Sequence, residues 1–233
     1  MENPVPDTSP ILEEPFAGSR RLYLIFGGRA GKIGMPVFEF YKASQILNEN
    51  RIFVRDLNQS WYQNGLPGIS TNIDETVDFL RGKIASYSVE QVYFVGNSMG
   101  GFAAYLFASL LGMGRVIAFA PQTFISPWKR FWARDRRWGA QIQRVYQDTR
   151  GRKRYFDLAR LPRDKAPEVC DIFVCSTERL DLLHARYISR RPGVTLHLHE
   201  IGGHALVRHL RDSGELASIL TAGSTTAPSP KEI

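Results

Sequence analysis

Short apolar runs alternate with longer amphipathic stretches through the middle of this chain, and no other feature limits its fold as much. Leu22–Phe26 (LYLIF), Ile52–Val54, Val92–Val95 (VYFV), Val116–Ala120 (VIAFA), Ile172–Cys175 and Val194–Ile201 read as strands. Between them, Ile73, Val77, Leu80 and Ile84 recur at helical spacing, and Gly101–Leu111 is apolar on nearly all sides. Leu182–Ile188 reads as another helix, and a last helix is expected from about Ala205 to Leu220. Strands alternating with helices specify a mostly parallel sheet of about six strands, with helices on both faces. Ligands of such sheets collect at the carboxyl ends of the strands, so functional residues are expected just after the strand runs.

The 233 residues suit one domain with a core that needs no staple, and 43% apolar with 23% charged residues is a soluble globular balance. Cys170 and Cys175 sit five apart on one expected strand, so they point to opposite faces and are not expected to pair. The start, MENPVPDTSPILEEPF, lacks the basic and apolar regions of a secretion signal, and no run approaches a bilayer span. A soluble cytoplasmic protein is expected. Residues 1–18 and 223–233 read as flexible tails around a domain at 19–222.

The VYFV strand runs into Gly96-Asn97-Ser98-Met99-Gly100-Gly101 and then a helix. This is G-x-S-x-G in the strand–turn–helix setting that a nucleophilic serine on a sharp turn requires. Glycines flank such a turn because side chains there would strike the strand or the helix. The plainer alternative is a serine that caps the helix. A phosphate-cradling loop is disfavoured because no G-K-[ST] follows.

Together with the strand ending in Phe26-Gly27-Gly28 and an acid-then-histidine order downstream, this elbow resembles the α/β-hydrolase superfamily over roughly residues 20–221. The FGGRAGKIGMP and RDLNQSWYQNGLPG stretches are similar to a bacterial branch of small hydrolases often associated with surface-polysaccharide loci. The resemblance implies that Ser98 is the nucleophile and that His204, in Gly202-Gly203-His204 after the last strand, is its base. Asp181 and Glu178 both lie in the loop after the fifth strand, where the family places its acid. Asp181 is preferred because it opens the LDLLHA helix. The resemblance also implies an oxyanion hole from the N–H groups of Met99 and Gly28, with Arg29 as the alternative to Gly28. His197 and His199 share one strand face with no evident third ligand, so no metal is expected, and His184 and His209 read as structural. No cofactor is implied.

The net charge of +7 belongs to one segment: residues 122–168 hold 13 Lys+Arg against 5 Asp+Glu. This is where the superfamily inserts a cap, and a short helical one is expected. Trp128, Phe131, Trp132, Trp138, Tyr146, Tyr155 and Phe156 lie among its arginines. Aromatics over a serine elbow suit an apolar or sugar-like substrate face, and arginines suit an acidic group. The plainer alternative buries the aromatics and solvates the arginines. No recognised nucleic-acid module accompanies the insert, so no nucleic-acid partner is expected. The expected function is a serine hydrolase acting on a small-molecule ester or thioester. The alternatives are an acyltransferase on the same triad, or a binding protein that kept the fold and lost the chemistry.

Overall fold

The structure, a computed structural model, describes residues 9–28, 40–148 and 153–225. Its sheet has seven strands: β1 (Ile11–Glu14), β2 (Arg21–Phe26), β3 (Asn50–Val54), β4 (Gln91–Asn97), β5 (Arg115–Phe119), β6 (Val169–Cys175) and β7 (Val194–His199). Their order is β1-β3-β2-β4-β5-β6-β7, and every pairing is parallel except β1 against β3.

The central strands read as unbroken apolar runs because both of their faces are covered. Leu22, Leu24, Phe26, Ile52, Val54, Phe94, Val116 and Ala118 face one core, under α1 (Ile73–Ser86), α2 (Met99–Leu111) and α5 (Arg179–Ile188). Tyr23, Ile25, Phe53, Tyr93, Val95, Ile117 and Phe119 face the other, under α6 (Leu206–Asp212) and α7 (Glu215–Thr225). Helix α1 starts where Asn72 accepts the N–H of Glu75, and the Glu75 carboxylate reaches back to the N–H of Thr71. Its Ile73, Val77, Leu80 and Ile84 are all buried, as the spacing predicts.

Two sequence expectations are refined. The sheet has seven strands where about six are expected, the additional one being β1, ahead of the LYLIF run. Its two acids are anchored: Glu13 takes the Lys83 ammonium at 2.5 Å and the Tyr87 hydroxyl at 2.9 Å, while Glu14 pairs with Arg51 at 2.8 Å. The single last helix is two helices, broken at Gly214, whose φ of 82° ends α6. Helix α7 then runs on to Thr225. Cys170 and Cys175 are both free and buried.

Two segments shape the carboxyl edge of the sheet. After β3, the chain passes through Gln59, Trp61 and Tyr62, all at positive φ, which is costly for side-chain-bearing residues. The buried Asp56 carboxylate holds this turn by accepting the N–H groups of Asn58 (3.0 Å), Ser60 (2.5 Å) and Tyr62 (2.8 Å). Burial pushes the Asp56 carboxyl up to about 6, against the pull of those donors. Between β5 and β6, where a helical cap is expected, lie α3 (Pro127–Ala133), α4 (Gly139–Asp148) and two short 3-10 turns. The aromatics of this segment divide: Tyr155 and Phe156 are buried, while Trp128, Phe131 and Trp132 are exposed. Trp61 is buried and donates from Nε1 to Gln122 Oε1 at 3.0 Å, joining the first turn to the start of the cap.

Two glycine substitutions should move stability in opposite directions. Gly82 lies exposed within α1, and a Cβ added there would meet only open space, so Gly82→Ala should raise the unfolding free energy by about 0.5–1 kcal/mol. Gly65 has φ 69° and a Cβ there would lie 2.5 Å from Ser70 O, so Gly65→Ala should lower it by more than about 1 kcal/mol. Urea unfolding of both variants checks this.

Candidate active site

The chain turns sharply between β4 and α2, and Ser98 sits on that turn with φ 53° and ψ −111°. Three backbone hydrogen bonds hold the strained residue. Its N–H donates to Phe119 O at 2.9 Å, and its carbonyl accepts Phe102 N–H at 3.1 Å and Gln122 N–H at 3.2 Å. The flanking glycines are required by contact. A Cβ on Gly96 would lie 2.2 Å from Gly100 O, one on Gly100 2.2 Å from Phe26 O, and one on Gly101 2.9 Å from Pro121 Cβ. The serine is not a helix cap: its side chain makes no capping hydrogen bond. The close approach of Gly100 to Phe26 also sets the start of α2 against the end of β2, from which Gly27 and Gly28 continue. Met99 is the first residue of α2, so its N–H has no intrahelical acceptor. Arg29 lies outside the described residues.

Along the same carboxyl edge, β6 leads into α5 and β7 leads into a 3-10 turn over Gly203–Ala205. Gly202 and Gly203, at φ 112° and 55°, turn the chain back over the edge and present His204. His204 Nδ1 lies 2.7 Å from Asp181 Oδ2. Asp181 is 1% exposed, whereas the His204 side chain is 37% exposed. An Nδ1–H donated to this carboxylate leaves Nε2 as the free acceptor. Of the two acid candidates, Asp181 therefore meets His204, and Glu178 occupies the N-cap position of α5 with no capping bond. Among the described residues Ser98 Oγ makes no hydrogen bond, so Asp181 and His204 are brought into contact and Ser98 is brought to the same edge.

Behind the pair lies a buried polar chain that no sequence pattern reveals. Arg137, from the cap, donates from Nη1 to Asp181 Oδ1 at 2.5 Å. Its Nε and Nη2 each reach an oxygen of Asp135 at 3.1 Å. Asp135 Oδ2 in turn lies 3.1 Å from His184 Nε2, and the N–H of Thr123 donates to His184 Nδ1 at 3.0 Å. That donor makes Nδ1 an acceptor, so the proton of the buried imidazole is on Nε2 and points at Asp135. Burial lowers the His184 pKa and keeps the ring neutral. Burial also pushes Asp181 and Asp135 upward, but hydrogen bonds from His204 and Arg137 to the first, and from His184 and Arg137 to the second, hold both below the usual carboxylate range. Asp181 and His184 lie more than forty residues beyond Asp135 and Arg137, and Arg137 sits in a run of arginines that reads as solvated charge, so no local spacing announces the chain. His197, by contrast, bonds Asp171 at 2.8 Å, and no group of three metal-ligating side chains occurs among the described residues.

Two outcomes test this geometry. Gly100→Ala should unfold or severely destabilise the protein, since no side-chain motion relieves a clash with the Phe26 carbonyl. Arg137→Met should lower stability by about 3–5 kcal/mol at pH 7, because it strands two buried carboxylates. Carboxylates with depressed folded pKa values stabilise above their unfolded values and lose that contribution as pH falls below about 4. The gap between parent and Arg137→Met in urea unfolding should therefore stay wide from about pH 7 down to about pH 5 and narrow as pH falls below about 4.

No family model matches the chain, and no curated protein matches it in sequence. Solved structures do match in shape. The capsule O-acetyltransferase of Neisseria meningitidis serogroup A is similar with a TM-score of 0.65 at 14% identity, over 90% of each chain. MGS-M2, an alpha/beta hydrolase enzyme from a Medee basin deep-sea metagenome library, is similar with a TM-score of 0.62 at 14% identity, over 95% of this chain and 97% of its own. MenH from S. aureus is similar with a TM-score of 0.57 at 13% identity, over 91% and 97%. The parallel sheet, the elbow after β4 and these matches over nine-tenths of the chain agree: the protein has the α/β-hydrolase fold.

Proposed function

We propose that the protein is a serine hydrolase that cleaves an ester or thioester through Ser98, His204 and Asp181. The hydrogen-bonded Asp181–His204 pair, on the same sheet edge as a strained serine, carries the reading. Ser98 Oγ attacks the acyl carbon while His204 Nε2 takes its proton. The N–H groups of Met99 and Gly28 hold the charge that develops on the carbonyl oxygen. His204 returns the proton to the leaving group as the carbon–oxygen or carbon–sulfur bond breaks, which leaves the acyl group on Ser98. Water, deprotonated by the same imidazole, then releases the acid. Asp181 fixes the ring and stabilises the imidazolium, and Arg137 holds the far oxygen of Asp181 so that the near one faces His204.

A second reading replaces water with an acceptor hydroxyl. Its support is the likeness to a capsule O-acetyltransferase, whose chain this one covers to 90%. Turnover of p-nitrophenyl acetate and of acetyl thioesters, with and without sugar acceptors, separates the two. Hydrolysis predicts free acetate at a rate the acceptor leaves unchanged. Acetylated acceptor formed at the expense of free acetate supports transfer.

The acid assignment has its own test. Asp181→Asn should lower kcat by about 10⁴-fold, because the imidazole loses its orienting partner. Glu178→Gln should stay within about threefold of the parent. The reverse ranking contradicts the triad as assigned, and a parent with no turnover on any acyl substrate favours a binding protein on this fold.

A further inference from the structure

Helix α3 is amphipathic in the wrong sense for a helix packed on a core. Its buried residue is Ala133, while Trp128, Phe131 and Trp132 are 66%, 71% and 66% exposed. Spaced i, i+3 and i+4, they share one helix face. They pack on each other, with ring centroids 5.4 Å apart for Trp128 and Trp132 and 5.8 Å apart for Phe131 and Trp132. Three large aromatics gathered on one outward ridge are more than scattered surface apolarity, and such patches mark contact sites.

The charge around the ridge says what the contact is. The only acid between Ser126 and Arg137 is Asp135, and it is buried against Arg137 and His184. Lys129 lies over the Tyr187 ring at 4.4 Å, and Arg130 donates to the Arg137 carbonyl at 2.6 Å. Arg134 and Arg136, both exposed, make no ion pair among the described residues and follow the aromatics closely in the chain. Tryptophan and phenylalanine set beside unpaired arginines match the headgroup boundary of an anionic bilayer, where rings enter the interface and guanidinium groups meet phosphates. A seven-residue helix supplies too little area for the roughly 800 Å² per side of a stable protein interface. No helix among the described residues is long and apolar enough to cross a membrane, so the contact is peripheral.

We propose that Trp128, Phe131, Trp132, Arg134 and Arg136 dock the protein on the surface of an anionic lipid membrane. The docking is independent of the proposed chemistry, and its test reads binding alone. It also has a consequence for the site: Arg130 bonds the Arg137 carbonyl, and the Arg137 guanidinium bonds Asp181, so a single residue joins the docked helix to Asp181.

The test is cosedimentation of the full chain with vesicles of phosphatidylglycerol and phosphatidylcholine (3:7) or of phosphatidylcholine alone, with tryptophan emission read in parallel. The parent should bind the anionic vesicles at least tenfold more tightly, with a blue shift. A Trp128→Ala/Phe131→Ala/Trp132→Ala variant should lose at least tenfold in affinity and the shift, with unchanged thermal unfolding. Arg134→Gln/Arg136→Gln should lose severalfold. Arg163→Gln/Lys165→Gln, which removes the same charge from exposed positions elsewhere in the cap, should stay within about twofold. Four results overturn the proposal: a parent that stays in the supernatant, a triple variant that binds like the parent, equal losses in the two charge variants, or a concentration-dependent dimer that the triple variant abolishes in the absence of vesicle binding.

Discussion

The packing of α2 against the end of β2, made possible by the missing side chain of Gly100, is the contact on which the site depends. It presses the helix start against Phe26 O and forces the chain at Ser98 into a conformation that an L-residue adopts only under constraint. The constraint is distributed. Phe119 O, Phe102 N–H and Gln122 N–H hold the turn from β5, from α2 and from the start of the cap. The strain at one residue is thus stabilised by three elements of the core, and the serine is lifted off the sheet with its oxygen uncommitted to a helix cap.

A second constraint joins the cap to the acid–base pair. Two buried carboxylates, Asp135 and Asp181, approach one another in a low-dielectric interior, where like charges are costly. Arg137 stands between them and bonds both, and neutral His184 satisfies the remaining side of Asp135. The group is left with one net negative charge, and Asp181 turns that charge toward His204. Such a charge favours an imidazolium beside it. The segment between β5 and β6 is thus tied to the sheet edge: its Arg137 fixes one oxygen of Asp181.

Much of this is legible in the sequence, for physical reasons that differ by element. Strands buried on both faces announce themselves as apolar runs, so β2, β4, β5 and β6 are readable. Strand β1 is not, because ILEE carries two acids whose partners Lys83, Tyr87 and Arg51 lie far along the chain. Gly214 does not announce a break, because the apolar pattern continues across it. In the site, G-x-S-x-G and the Gly-Gly-His turn are local signals, and both stand at the carboxyl edge of the sheet. The choice between Asp181 and Glu178 is not local, since it turns on which carboxylate the fold brings to His204. Arg137, Asp135 and His184 are joined only by folding, and each alone reads as ordinary surface or helix composition.

The most direct test of the account asks whether Ser98 is an activated nucleophile. The parent and Ser98→Ala are treated with a fluorophosphonate, and intact mass is read on both. An activated Ser98 gives a single adduct on the parent, none on the variant, and slowed labelling when Asp181→Asn is carried instead. A folded parent that takes no adduct, or a Ser98→Ala variant that labels like the parent, would contradict it.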